Sequence, residues 1–337
     1  NVRRPEHLHR HDANILVNAM RQRARRAVAT AAAVLLLSAC APSPAAAPEA
    51  ATSDTRPVVL ATFTVLADLA SEVAGPHLRV ESLTRVGAEI HGYEPTPADV
   101  ARASEADLIL DNGLGLEAWF AQFVRDSGAP HAVLSDGIEP IPIAGGEAAG
   151  HVNPHAWMSP ANAEHYVENI VVAFSDLDPA HAADYRANGD AYRAKIESVF
   201  ADAQVRIDAL PATDRTLVTC EGAFSYLARD LGLSEHYLWP VNAEQQITAR
   251  RMAAVIDAVR ADDVPAVFCE STVSDRAMRQ LADDTAAAFG GTLYVDSLSA
   301  ADGPVPDYLS LLRVNLDTIA TGLSSSSPPA PSKGTDP

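Results

Sequence analysis

From Val58 onward, short apolar runs alternate with amphipathic stretches, and the whole alternation occurs twice. In the first half, residues 58–63, 78–84, 107–111 and 131–135 read as buried strands. Helices are expected over 65–74, 97–105 and 116–125, with another starting at Ser159-Pro160. Gly75-Pro76 ends the first of these, and Thr96 caps the second, with Pro97 in its first turn. Four strand–helix units of this kind predict a parallel sheet, because each strand needs a crossover before the next can run the same way. In the second half the strands are expected at 216–220, 237–241, 266–269 and 293–295, and the helices at 223–230, 249–261, 275–287 and 307–321.

Between the halves, 179–210 carries no strand signal and no proline after Pro179 until Pro211. Tyr185, Tyr192, Ile196 and Val199 fall at helical spacing. One helix there would be on the order of 45 Å long, more than one domain needs. It is read as a rod joining two lobes, with few crossings between them elsewhere. The expected organisation is an N-terminal lobe (57–178), a linker helix (179–210), a C-terminal lobe (211–323) and a disordered Ser/Pro tail (324–337). The fold class is therefore α/β, two (βα)4 lobes with parallel sheets joined by one long rigid helix.

Composition narrows the function. With 337 residues, 47% hydrophobic and 20% charged, the chain can build two cores. A net charge of −19 excludes nucleic acid as a partner. Met20 is followed by Arg21, Arg23, Arg25 and Arg26, an apolar run over 27–37, and Leu37-Ser38-Ala39-Cys40. That pattern is a secretory signal ending in a lipobox; the apolar run is shorter than the ~20 residues a membrane span needs. Residues 1–39 are thus upstream residues and signal, with Met20 expected as the start. Cys40 is the expected lipidation site and 40–56 a flexible tether rich in Ala and Pro. The expected location is extracytoplasmic, lipid-anchored to the cell membrane.

Four residues then stand out. His91 lies in His91-Gly92-Tyr93-Glu94-Pro95, and His155 in Asn153-Pro154-His155-Ala156-Trp157. Glu221 ends the 216–220 run, and Asp296 ends a run through Val295. Ligands of open α/β sheets bind beyond the carboxyl ends of strands. Two imidazoles and two carboxylates at such ends suit a divalent cation, held in the cleft between the lobes. His151 lacks the surrounding motif and reads as a loop residue. Glu270 ends the 266–269 run and is read as supporting a ligand by hydrogen bonding rather than as a fifth ligand. Cys220 and Cys269 read as small buried residues on neighbouring strands; a disulfide between them stays open, and thiolate ligation of a softer metal is the lesser reading.

On these motifs, together with Glu221-Gly222-Ala223-Phe224 and Asp296-Ser297, the chain resembles the metal-binding receptors of bacterial ABC importers for manganese, iron and zinc (cluster A-I) over about 57–323. The resemblance implies two βα lobes joined by a rigid helix, with His91, His155, Glu221 and Asp296 holding one metal ion between them. It also implies a monomeric extracytoplasmic receptor that delivers its ion to a membrane permease. Zinc receptors of that family usually have His at the third ligand position and a His- and acid-rich loop before the second. Here Glu221 takes that position, and the 141–150 loop has no His. The runs 237–246 and 268–272 resemble the manganese/iron branch, although Ile247 stands where relatives commonly have Gly. Mn²⁺ is the expected cargo, with Fe²⁺ or Zn²⁺ as alternatives. A metallohydrolase is the rival class. It needs an open coordination position and a base, and the sequence has no His-Glu-x-x-His and no Ser nucleophile elbow. No enzyme activity is expected.

Overall fold

In the computed structural model, four parallel strands make the first sheet, in the order β2-β1-β3-β4. They are β1 (Val58–Ala61), β2 (Arg79–Ser82), β3 (Leu108–Asp111) and β4 (His131–Val133). The structure describes residues 54–117, 128–145, 148–241 and 247–324. The signal, Cys40, most of the tether, the 325–337 tail, most of the helix expected over 116–125 and the 242–246 part of the branch-like run lie outside the described residues. Among the described residues no helix is long and apolar enough to cross a membrane.

Helix α1 (Thr64–Ala74) buries Val65, Leu66, Leu69, Ala70 and Val73, one stripe at helical spacing. Helix α2 (Pro97–Ser104) starts as the sequence suggests: the Thr96 side chain accepts from the Asp99 N–H, and Asp99 reciprocates. Ser159 caps α3 (Pro160–Leu177) by accepting from the Asn162 N–H. The expected single helix over 179–210 begins with a 3-10 turn (Pro179–His181) and continues as α4 (Ala182–Asp208), 27 residues long. Tyr185, Gly189, Tyr192, Ile196, Ala203 and Ile207 line its buried side. Gly189 permits close approach to α3, since a Cβ there would lie 2.5 Å from Val171 Cγ2.

The second half pairs β5 (Thr216–Glu221) with β6 (Ser234–Trp239), and β7 (Ala266–Glu270) with β8 (Ala288–Leu293), both parallel. The helices are α5 (Ser225–Leu231), α6 (Ala249–Ala261), α7 (Arg276–Thr285) and α8 (Tyr308–Ser324). The parallel order is as expected, but the ladder is interrupted between β5 and β7, so the half holds two two-stranded sheets side by side. A disulfide joins Cys220 to Cys269 there, with Cα atoms 4.9 Å apart. At the same place the Glu221 N–H donates to the Glu270 carboxylate at 3.2 Å rather than to a strand carbonyl. Several boundaries shift, and the strand expected at 237–241 occupies Ser234–Trp239. The strand expected at 293–295 occupies Ala288–Leu293, and α8 takes in Ser324. Gly290 looks like a strand breaker in sequence, yet it gives the Phe268 ring its place: a Cβ there would sit 2.4 Å from Phe268 Cε1.

The expectation of few crossings outside the rod is not met. Helix α4 packs on α1 and α3 and also on α8. The two halves meet again through Trp157 Nε1–H donating to the Val295 carbonyl, Tyr308 O–H donating to the Trp157 carbonyl, and the Leu298 N–H donating to Thr64 Oγ1. One apolar cluster runs through both, including Leu66, Trp157, Ile196, Leu217 and Tyr308. These side chains are too large and too apolar to leave solvated, so the strand ends of the two halves are packed together rather than hung on a bare rod.

Candidate metal centre

His91 lies in the loop between β2 and α2. The Glu89 carboxylate accepts the His91 N–H at 2.7 Å and the Gly92 N–H at 2.9 Å. Upstream, the Gly87 N–H donates to Ser297 Oγ at 2.6 Å, which ties this loop to the residue beside Asp296.

His155 opens the 3-10 turn Ala156–Met158. The Asn153 amide orients it. Asn153 Nδ2 donates to the Gly222 carbonyl at 2.7 Å, and a carbonyl can only accept, so Oδ1 faces His155. That Oδ1 accepts from the His155 backbone N–H at 3.1 Å and from ring Nδ1 at 2.9 Å. The proton therefore sits on Nδ1 and leaves Nε2 as an acceptor facing His91 Nε2, the form that binds a metal. Further back, Asn112 Nδ2 donates to the Pro154 carbonyl at 3.0 Å, and the buried Glu117 carboxylate accepts from Asn112 N–H and Thr62 O–H. Burial pushes Glu117 up to about 7.

The carboxylates come from the second half. Glu221 is the last residue of β5. Asp296 lies beyond the end of β8, not at a strand end as expected. Its Oδ2 accepts from Thr272 O–H at 3.3 Å, while its Oδ1 is buried with no hydrogen-bond partner among the described residues.

These four side chains converge. His91 Nε2 and His155 Nε2 are 2.9 Å apart. His91 Nε2 lies 3.7 Å from Glu221 Oε1 and 3.8 Å from Asp296 Oδ1, and His155 Nε2 lies 3.8 Å from each of the same oxygens. Donors ~2.1 Å from one ion can be at most ~4.2 Å apart, so all these separations suit a shared cation. The side chains are nearly closed off, 0–4% exposed.

Burial sets their electrostatics. It holds the His91 imidazole down to about 3. His155 is held well below its usual value, by burial first and by His91 second. Both rings are thus neutral near neutral pH, ready to coordinate. Burial, with the charge of Glu89 second, pushes Asp296 up to about 7 against the Thr272 hydrogen bond. Two acids in a dry pocket are costly without positive charge, and a divalent cation offsets both.

Glu270, pushed by burial up to about 8, accepts from the Glu221 backbone N–H. His151 is exposed and remains in the 141–152 loop, where its carbonyl accepts from the Ile143 N–H. Cys220 and Cys269, favoured as separate buried residues, are paired as a disulfide and so cannot offer thiolates. The sequence reading missed Asn153 and Thr272 as orienting groups. Asn153 is visible only as part of the Asn-Pro-His run, and Thr272 only as the last residue of the branch-like 268–272 run.

The family model described as the periplasmic zinc-uptake complex component A matches residues 59–322. The iron-binding protein YfeA of Yersinia pestis is 51% identical over 265 residues, covering 78% of this chain and 85% of that protein. The manganese ABC transporter substrate-binding lipoprotein PsaA of Streptococcus pneumoniae is 32% identical over 281 residues, covering 81% and 91%. Among solved structures, a Mn-bound periplasmic metal binding protein from Candidatus Liberibacter asiaticus has a TM-score of 0.75 at 39% identity, covering 80% of this chain and 100% of that one. The periplasmic zinc binding protein TroA from Treponema pallidum has a TM-score of 0.73 at 25% identity, covering 80% and 99%.

Proposed function

This chain belongs to the zinc-uptake complex component A family of metal-binding receptors, and on that premise we propose that it captures a divalent transition metal outside the cytoplasm and delivers it to an ABC importer permease. The cargo ligands are His91, His155, Glu221 and Asp296. The observation that carries this is the convergence of two imidazole nitrogens and two carboxylate oxygens, all within 3.8 Å of the opposing type and shut away from water. The two carboxylates neutralise a 2+ ion. Four protein donors leave the ion enclosed, which suits binding and transfer rather than hydrolysis.

The cargo is Mn²⁺ or Fe²⁺. Hard carboxylate oxygens beside two imidazoles suit these ions, and Glu221 stands where a zinc receptor would have a further imidazole. Zinc lies above manganese in intrinsic affinity order, so selection rests on geometry and supply. Cys40 carries the lipid anchor that keeps the receptor beside its permease.

Calorimetric titration of the metal-stripped protein with Mn²⁺ and Zn²⁺, followed by elemental analysis after mixed loading, tests the reading. One ion per chain is expected, with Glu221→His shifting preference toward Zn²⁺. Binding of no divalent ion, or a metal preference unaffected by Glu221→His, overturns it.

A further inference from the structure

The proposed ligands are buried, so an incoming ion must first meet an exposed group. Glu89 is such a group. A carboxylate oxygen of Glu89 lies within 4.8 Å of donor atoms of both His91 and Asp296, and of these three residues Glu89 is the exposed one. Its carboxylate is held in place by the His91 and Gly92 N–H groups, one on each oxygen. Each oxygen keeps a further lone pair for a cation. Across from it, Asp296 Oδ1 is buried and without a hydrogen-bond partner among the described residues. A fixed exposed carboxylate, an imidazole and a buried carboxylate with one unpartnered oxygen thus each offer a donor atom within 4.8 Å of the others.

We propose that Glu89, His91 and Asp296 form an outer capture site for the divalent cation, from which the ion moves inward by exchanging Glu89 for His155 and Glu221. This rests on the receptor reading above. The outer and inner sets share His91 and Asp296, so the ion changes partners without returning to water. Stepwise exchange of this kind lowers the barrier for entering and for leaving alike. Glu89 therefore governs rate, whereas the four buried residues govern affinity. The same negative charge at the exposed lip attracts cations from solution, an effect that weakens with salt.

Stopped-flow measurement of Mn²⁺ binding to the full chain, read by Trp157 fluorescence, is the test; the Trp157 ring centroid lies 5.1 Å from that of His155. In Glu89→Gln, association and dissociation should both slow by roughly tenfold, with the equilibrium affinity changed by less than about threefold. Thermal unfolding without metal should change little, because the two turn hydrogen bonds that Glu89 accepts are exposed. Glu89→Asp keeps the charge and should restore much of the rate. Unchanged rates in Glu89→Gln overturn the capture site alone. So does a fall in affinity as large as that of Asp296→Ala, or a failure of Glu89→Asp to recover rate, which would assign the effect to the turn. If the unmodified chain binds no Mn²⁺, the receptor reading falls and this proposal with it.

Discussion

The nitrogen donors and the oxygen donors of this site are held in different ways. Both imidazoles stand on loops of the first half, His91 before α2 and His155 at a 3-10 turn. Asn153 Oδ1 aims the His155 ring, while Glu89 accepts only from the backbone N–H groups of the His91 turn. Glu221, by contrast, ends a buried strand braced to its neighbour by the Cys220–Cys269 disulfide and by Glu270. The imidazoles are set by loop chemistry and Glu221 by sheet and covalent bond, while Asp296, beyond the end of β8, is held by the Thr272 hydroxyl. A site of this kind can adjust its imidazoles while Glu221 stays in register. Neutral rings tolerate burial alone, whereas a carboxylate's charge is the costly one to bury.

The largest effect should come from removing the brace. Cys220→Ser with Cys269→Ser opens a loop spanning 49 residues, and the chain-entropy relation puts the loss near 4 kcal/mol. Denaturant unfolding of the metal-free protein measures it; an undiminished midpoint would show that the strand pair needs no bond. Next, Asp296→Ala should weaken Mn²⁺ binding by more than about a hundredfold, and it should cut the stabilisation of about 4 kcal/mol that a thousandfold excess of ion confers to about 1.4 kcal/mol or less. His151→Ala should do neither, and titration of the two side by side decides whether the assignment stands.

On the nitrogen side, Asn153→Ala frees the His155 tautomer and cuts the bond to Gly222. Affinity should fall about 10- to 100-fold with a smaller loss of stability than the cysteine variant shows. A loss of stability without a loss of affinity would make Asn153 a packing residue only.

The smallest expected effect is a change of slope. Burial raises Glu270 from 4.5 to about 8 in the folded chain. The folded form then holds a proton that the unfolded form has released, so this group's stabilisation is full below about 4.5 and is lost as pH rises through about 8. Glu270→Gln removes that dependence, and thermal melts of the metal-free protein should flatten across this window. An unaltered profile would mean that Glu270 does not hold its proton.

What the sequence determined by itself was local. The helix over 65–74, the Thr96 cap of α2, the start of α3 at Ser159-Pro160 and the span Ala249–Ala261 of α6 each depend on residues a few positions apart, and each formed as read. The four candidate ligands were also legible, because each sits in a contiguous motif. Tertiary structure decided what depends on residues far apart in sequence. Gly290 belongs to a strand only because Phe268 needs its missing Cβ. Cys220 meets Cys269 only because β5 and β7 lie side by side without a ladder. The halves interlock through Trp157, Tyr308 and Thr64 because apolar surface near the strand ends had to be covered. The proton on His155 is placed by an amide that is itself oriented by a carbonyl of the other half. Periodicity and capping act within a turn or two of chain, whereas distances between donors are fixed only when separate elements pack.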